Sequence, residues 1–133
     1  MDAVSRNART GRAAISAALV GALLALVLST AREAPAHAFP DHSEPRVGAS
    51  LKTSPADVRV WFDGAIEPVF STIRVENADR QRVDKQDGRV SPDDSRLLIV
   101  SVPPLPPGKY RVYWSVVARD GHRTDGDFPF RIK

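Results

Sequence analysis

The chain has 133 residues, of which 42% are hydrophobic and 26% are charged, which suits one ordinary globular domain and a small additional segment. Cysteine is absent and the only methionine is Met1, which excludes disulfides, thiolate metal sites, cysteine nucleophiles and, once Met1 is removed, thioether sites for Cu(I). The 19 basic residues exceed the 16 acidic ones, but most of the excess lies before His37. Residues 37 to 133 hold 15 basic and 14 acidic residues, and they contain no basic stripe that would indicate a nucleic-acid partner.

The first 36 residues have the form of a secretory signal peptide. Three arginines, Arg6, Arg9 and Arg12, precede an apolar run at residues 13 to 28. The run has about the length of a signal sequence and is slightly shorter than the roughly 20 apolar residues of a transmembrane helix. We therefore predict export, and an uncleaved leader that anchors the protein in a membrane is the alternative.

Two small-residue signals compete for the cleavage site. The sequence APA at residues 34 to 36 predicts a cut before His37, and AHA at residues 36 to 38 predicts a cut before Phe39. The choice has a chemical consequence, because a free N-terminal histidine offers an α-amine and an imidazole that chelate one metal ion. A cut before Phe39 removes that chelate, and the signal rules leave both sites open.

From residue 37 onward, short runs with a period of two alternate with clusters of Pro, Gly, Asp and Ser. The clearest runs are residues 58–62, 71–75, 97–102, 109–118 and 126–132. The run at 109–118 is the longest and is predicted to be a central strand, whereas Pro129 removes a backbone donor and predicts an edge or a bulge. About seven short strands in roughly 100 residues predict an all-β, immunoglobulin-like Greek-key β-sandwich.

The alternation within these runs also assigns the side chains that face the core. They are Val58, Val60, Phe62, Ile73, Val75, Tyr110, Val112, Trp114, Val116, Phe128, Phe130 and Ile132. Trp61 and Trp114 are predicted to be core or near-core residues. The segment PPLPPG at residues 103 to 108 is predicted to be a stiff turn that precedes the long strand.

Histidine occurs only three times, at His37, His42 and His122. In the predicted loop at residues 119 to 125, Asp120 and His122 flank a glycine, which either forms a hairpin turn that favours Asp or lets two ligands face one point. An amine, imidazoles and a carboxylate suit the tetragonal plane of Cu(II), whereas an α-amine is an unusual ligand for zinc. His42 is interpreted as an exposed loop residue, with a supplementary metal ligand as the alternative.

A series of short segments follows in a specific order and spacing. They are HA at 37–38, SEPRVGASL at 43–51, SP at 54–55, VRVWF at 58–62, EPVFS at 67–71, LPPGKYRVYW at 105–114, VV at 116–117, DGH at 120–122 and GDFPF at 126–130. Each is common alone, but together they resemble the copper resistance protein C (CopC-like) family of periplasmic copper-binding proteins. The resemblance covers nearly all of residues 37 to 133.

The resemblance implies a Cu(II) site formed by the α-amine and ring of His37 together with Asp120 and His122. It favours cleavage before His37, which gives a signal peptide at residues 1–36 and a copper-binding domain at residues 37–133. Relatives with a Cu(I) site use a Met-rich loop, which is missing here, so we predict a protein specific for Cu(II). Many relatives also have an acidic residue near the metal, two positions after the Phe of the second strand. Here Phe62 is followed by Asp63 and Gly64, and Asp63 or Glu67 is a candidate to replace it as a hydrogen-bond acceptor near the metal.

Three functions are compatible with the sequence. The leading hypothesis is a periplasmic carrier or buffer for copper that passes the ion to, or withholds it from, a membrane copper-transport protein, without enzymatic activity. The second is a copper oxidative enzyme with a histidine brace, like the polysaccharide monooxygenases, although these have larger domains and need an open copper position. The third is a metal-free interaction domain of immunoglobulin-like fold.

Overall fold

A computed structural model describes residues 37 to 133, and the predicted signal peptide lies outside the described residues. The described part contains eight strands and one short 3-10 turn, Pro68–Phe70. The strands are β1 (Pro40–Glu44), β2 (Ser50–Leu51), β3 (Asp57–Phe62), β4 (Thr72–Asn77), β5 (Arg89–Val90), β6 (Leu97–Ser101), β7 (Gly108–Val117) and β8 (Arg123–Ile132). Between residues 37 and 133, no helix is long and apolar enough to cross a membrane.

The strands form two four-stranded sheets. The first has the order β1-β3-β6-β5 and the second has the order β2-β8-β7-β4. The pairs are antiparallel except β2 with β8, and β7 lies between β8 and β4, as predicted for the longest run. The β-sandwich predicted from the sequence is therefore confirmed, with eight strands where about seven were expected.

Alternate residues of each long strand face the other sheet and form one core. All twelve side chains predicted to face inward are buried, and they pack with Leu98, Val100, Val102, Leu105, Ala38, Ile66 and Ala118. Trp114 meets Phe62 across the sheets in an edge-to-face contact with ring centroids 5.2 Å apart. Trp61, by contrast, is only partly buried and its ring stacks on that of His42, so it does not belong to the core.

The edge or bulge predicted from Pro129 is not found, because β8 lies between β2 and β7 and has no bulge at this residue. The carbonyl oxygen of Pro129 accepts a hydrogen bond from the backbone N–H of Gly48, on the side of β8 away from β7. Because N–H and C=O of one residue point to the same side of an extended strand, the missing donor of Pro129 also faces that side. The register of β8 with β7 consequently continues without a bulge, from Gly108 opposite Ile132 to Val117 opposite Arg123.

The last hairpin loop is shorter than the sequence indicated. We predicted a loop at residues 119 to 125, but β8 already begins at Arg123. The inward positions at the start of β8 are Thr124 and Gly126, which give no apolar alternation to detect. Gly126 is required there, since a Cβ atom would lie 2.6 Å from Cζ2 of Trp114. The pairing of β8 with β7, rather than burial of apolar side chains, defines this part of the strand.

Candidate metal centre

The loop between β7 and β8 is a tight hairpin that presents Asp120 and His122. The backbone N–H of Gly121 donates to the carbonyl of Ala118, and the N–H of Ala118 donates to the carbonyl of His122, both at 2.9 Å. Gly121 has φ +87, the left-handed conformation that a three-residue hairpin loop requires at this position and that glycine adopts without strain. The hairpin-turn interpretation of this segment is therefore correct as far as the backbone is concerned.

The side chains of Asp120 and His122 also contact each other. One carboxylate oxygen, Oδ1, accepts the backbone N–H of His122 at 3.0 Å, and Oδ2 lies 2.7 Å from Nδ1 of the imidazole. The bond from the backbone N–H, assisted by the histidine ring, holds the pKa of Asp120 below its ordinary value. The turn thus fixes an ionised carboxylate beside an imidazole, and within residues 37 to 133 Nε2 of that ring makes no hydrogen bond.

His37 lies at the same end of the sandwich. Its ring stacks on the ring of His122 with centroids 4.5 Å apart, and more loosely on Phe39 at 6.1 Å. His37 is also close enough to Asp120 to make a small contribution to the lowered pKa of that carboxyl group. The structure therefore brings all three predicted ligands to one place.

As the side chains stand, the three groups do not converge on one point. Within the part of the chain that the structure describes, no three His, Asp or Glu side chains form a group that could hold a metal ion. The rings of His37 and His122 stack face to face, and Nδ1 of His122 faces Asp120. Side-chain rotation is therefore needed before a single ion can touch all three.

The segment that carries His37 is anchored by its next two residues. Ala38 is completely buried, and its carbonyl oxygen accepts a hydrogen bond from Oγ1 of Thr124 at 2.7 Å. The N–H of Phe39 donates to Oδ1 of Asp63 at 2.7 Å, and the N–H of Asp63 donates to the carbonyl of Phe39 at 2.9 Å. These bonds direct His37 toward the last hairpin.

Only part of this anchor was predictable from the sequence. Asp63 was a candidate acceptor near the metal, and the structure gives it a different task, because it bonds the backbone of Phe39. Glu67 meets the last hairpin through its backbone, which donates to Val117. Thr124 was missed, because a lone threonine in a predicted loop gives no sequence signal. The small residue Ala38 after His37 was the one indication that the segment at residues 37–39 is partly buried.

His42 is separate from this centre. It lies in β1 rather than in a loop, so the predicted loop placement is wrong, although the residue is exposed as expected. Its ring stacks on Trp61 at 4.4 Å, and Nδ1 lies 2.9 Å from a carboxylate oxygen of Asp41. The pairing of β1 with β3 places His42 opposite Trp61, on the outer face of the first sheet.

A family model described as the CopC domain matches residues 41–133. The chain belongs to the CopC domain family. This CopC domain is 35% identical over 98 residues to the copper transport protein CutJ of Bacillus subtilis (strain 168). The aligned part covers 73% of the chain but only 18% of CutJ, so the chain spans less than a fifth of that relative. The family inferred from the sequence is confirmed.

Two solved structures resemble this CopC domain. CopC from Methylosinus trichosporium OB3b has a TM-score of 0.68 at 28% identity, covering 73% of this chain and 94% of that one. PcoC, a methionine-rich copper resistance protein from Escherichia coli, has a TM-score of 0.63 at 25% identity, covering 74% of this chain and all of PcoC. This CopC domain differs from the latter in composition, because the only methionine of the chain is Met1.

Proposed function

We propose that the mature domain begins at His37 and binds one Cu(II) ion through four donors. They are the α-amine and imidazole of His37, the carboxylate of Asp120 and the imidazole of His122. In this proposal the ion is cargo, which the protein carries or buffers. The proposal agrees with the relatives named for copper transport and copper resistance.

The contact between His37 and His122 carries the proposal. Their rings lie 4.5 Å apart, although one residue begins the described chain and the other lies in its last hairpin. Stacking of two imidazoles contributes little by itself, so two anchored segments that meet at their only histidines are better explained by a shared ligand. Asp120 supplies an anionic donor beside them, which offsets one charge of a divalent cation.

The donor chemistry selects the oxidation state. Nitrogen and oxygen donors suit Cu(II), whereas Cu(I) prefers thiolate and thioether ligands. The chain has no cysteine, and its only methionine is Met1. The side chain of His122 is 61% exposed, so its ring can rotate and break the hydrogen bond between Nδ1 and Asp120 at little cost. The imidazole and the carboxylate can then both point toward one ion.

We further propose that the protein works in the periplasm, after removal of residues 1–36, as a carrier or buffer for a membrane copper-transport protein. Cleavage before His37 is needed, because only a free terminus offers the α-amine. A role in transport fits better than oxidative catalysis, since the carboxylate of Asp120 occupies a copper position that oxygen chemistry needs open. A retained leader gives a membrane-anchored protein without the amine ligand.

Titration of the domain starting at His37 with Cu(II), followed by electron paramagnetic resonance, tests the proposal. We expect one tight equivalent and an axial spectrum with nitrogen hyperfine splitting from the amine and imidazoles. Several weak equivalents, or a spectrum of oxygen-bound copper alone, would refute it. The matched control is His42→Ala, which should leave both results unchanged.

A further inference from the structure

The end of the sandwich that carries His37 and His122 also carries most of the large apolar side chains that are strongly exposed. We call it the metal end, and it comprises residues 37–39, 63–71, 91–96 and 118–122. Within residues 37 to 133, four large apolar side chains are strongly exposed, namely Phe39 (55%), Val47 (68%), Val69 (84%) and Phe70 (58%). Three of the four lie at the metal end.

The backbone holds Val69 and Phe70 beside the last hairpin. Ile66 bridges to Ala118, and the N–H of Glu67 donates to the carbonyl of Val117 at 2.8 Å. The 3-10 turn that follows presents Val69 and Phe70 outward, and no residue of the turn is buried. Since the backbone of this segment is bonded to the strand that leads to Asp120, the exposed side chains have a defined position.

The charges at the metal end are mainly negative. Its acidic residues are Asp63, Glu67, Asp93, Asp94 and Asp120, and its basic residues are Arg96 and Arg119. The loop with Asp93 and Asp94 belongs here because Ser95 and Arg96 accept hydrogen bonds from Ile66 and Phe62. The α-amine of a mature His37 adds one positive charge in the metal-free protein, and a bound Cu(II) ion adds two in its place. With five acidic residues against two basic ones, the metal end stays negative in both states. A docking surface that complements this end is therefore positive.

The opposite end has the reverse charge. This end comprises the loops at residues 45–49, 52–56, 78–88 and 102–107 and the last residue. Its basic residues are Arg46, Lys52, Arg80, Arg82, Lys85 and Lys133, and its acidic residues are Asp79, Asp84 and Asp87. The domain is nearly neutral as a whole, but its negative charges predominate at the metal end and its positive charges at the opposite end. Two copies meeting through their metal ends would repel each other, which argues against self-association there.

We infer that the metal end is a docking surface for a copper-exchange protein whose contact surface has an apolar centre bordered by lysines or arginines. This inference rests on the proposed function and names the partner's chemistry. Direct exchange requires the partner's ligand to approach the ion, so the residues around His37 and His122 must lie in the interface. Phe39, Val69 and Phe70 provide apolar contact, and the acidic residues orient the approach.

Synthetic acceptor peptides test the inference. Each begins with Gly-Gly-His, a Cu(II) chelator, followed by an apolar segment bordered either by lysines or, in the matched peptide, by glutamates. Stopped-flow absorbance measures copper transfer from the loaded domain. We expect the lysine peptide to accept copper on the order of tenfold faster at low ionic strength, with the difference shrinking in high salt because salt screens exposed charges.

Variants of the exposed apolar residues give a second test of the inference. The double variant Val69→Gln, Phe70→Gln should slow transfer to the lysine peptide severalfold and leave transfer to the bare tripeptide unchanged. Val47→Gln is the matched control, because Val47 is also strongly exposed (68%) but lies away from the metal end, and it should change neither rate. Equal rates for the lysine and glutamate peptides, or a double variant that behaves as wild type, would overturn the inference.

Binding without copper separates this inference from the proposed function. Fluorescence anisotropy of a labelled lysine peptide reports docking to the metal-free domain, whatever the domain's copper affinity. If the peptide docks but no copper binds, the proposed function fails and the docking surface stands. If copper binds tightly but no peptide docks, or if Phe70 mediates binding to phosphatidylcholine vesicles instead, the docking inference fails alone.

Discussion

The imidazole ring of His37 stacks on that of His122, with ring centroids 4.5 Å apart. The contact depends on two local structures of different kinds. The β7–β8 hairpin fixes His122 through its turn, and the buried Ala38 with its bond to Thr124 fixes the segment that carries His37. If cleavage occurs before His37, as we propose, the new N-terminus lies next to this hairpin, which lowers the entropic cost of assembling a site from distant residues.

Replacing His122 by alanine should weaken Cu(II) binding by about 100-fold or more. Loss of a group that merely supports a ligand costs 10- to 100-fold in metal affinity, and loss of a ligand itself should cost at least as much. Competition titration against a chelator of known affinity measures the change. Wild-type affinity in His122→Ala would mean that the Asp120-Gly121-His122 segment is only a turn.

Thr124→Val should weaken copper binding by a smaller factor, about fivefold. The substitution removes the hydroxyl that donates to the buried carbonyl of Ala38, and a hydrogen bond of this kind contributes about 1 kcal/mol. Titration of the variant that starts at His37 gives the affinity, and thermal unfolding of the metal-free protein gives the effect on stability. An unchanged affinity would show that the burial of Ala38 and the bonds to Asp63 suffice to place His37.

Gly126→Ala should destabilise the domain by roughly 1–3 kcal/mol, because a new Cβ atom would lie 2.6 Å from Cζ2 of the buried Trp114. Urea unfolding followed by tryptophan fluorescence measures the change in free energy. Gly108→Ala is the control, since its Cβ atom would meet Tyr110 at an ordinary 3.7 Å. Equal stability of the two variants would show that the indole moves aside without cost.

Asp84→Asn should reduce the stability at neutral pH by about 2–3 kcal/mol and flatten its acid dependence. Burial alone raises the pKa of Asp84, but hydrogen bonds from Arg82 and from the backbone of Val75 and Gln86 outweigh burial and lower the pKa below the ordinary 3.8. A lowered folded-state pKa stabilises the native state above the unfolded pKa, and this stability is lost as the pH falls through the folded value.

Urea unfolding of wild type and Asp84→Asn at a series of pH values from 7 to 2 measures this difference. The free energy of unfolding of the wild type should fall below about pH 4, and that of the variant should fall less. Asp79→Asn, an exposed carboxylate in the same loop region, is the control and should follow the wild type. Parallel curves for wild type and Asp84→Asn would contradict the role given to this carboxylate.

Much of the fold was predictable because burial in a sandwich alternates along each strand. Val58, Val60 and Phe62 show the period of two plainly, and the structure buries all three. The start of β8 was not predictable, because its inward positions hold Thr124 and Gly126 rather than apolar residues. The position of His42 was missed for a similar reason, since four of the five residues of β1 are exposed and its pairing with β3 leaves no pattern in the sequence.

The sequence predicted which three residues form the candidate site, but not the contacts that hold them there. His37, Asp120 and His122 were proposed as ligands from the scarcity of histidine and from the family resemblance, and copper titration tests that role. The hydrogen bonds of Thr124 with Ala38 and of Asp63 with Phe39 connect residues far apart in the chain, and nothing in the local sequence indicates them. The stacking of His37 on His122 likewise follows from the tertiary fold alone.

We propose the α-amine of His37 as a copper ligand, and one comparison tests this assignment most directly. The Cu(II) dissociation constant is measured for the domain beginning at His37 and for the same domain with that amine acetylated, which leaves every side chain in place. We expect acetylation to weaken binding on the order of 100-fold, since it removes one donor and breaks the chelate ring. Equal dissociation constants for the two forms would contradict the claim.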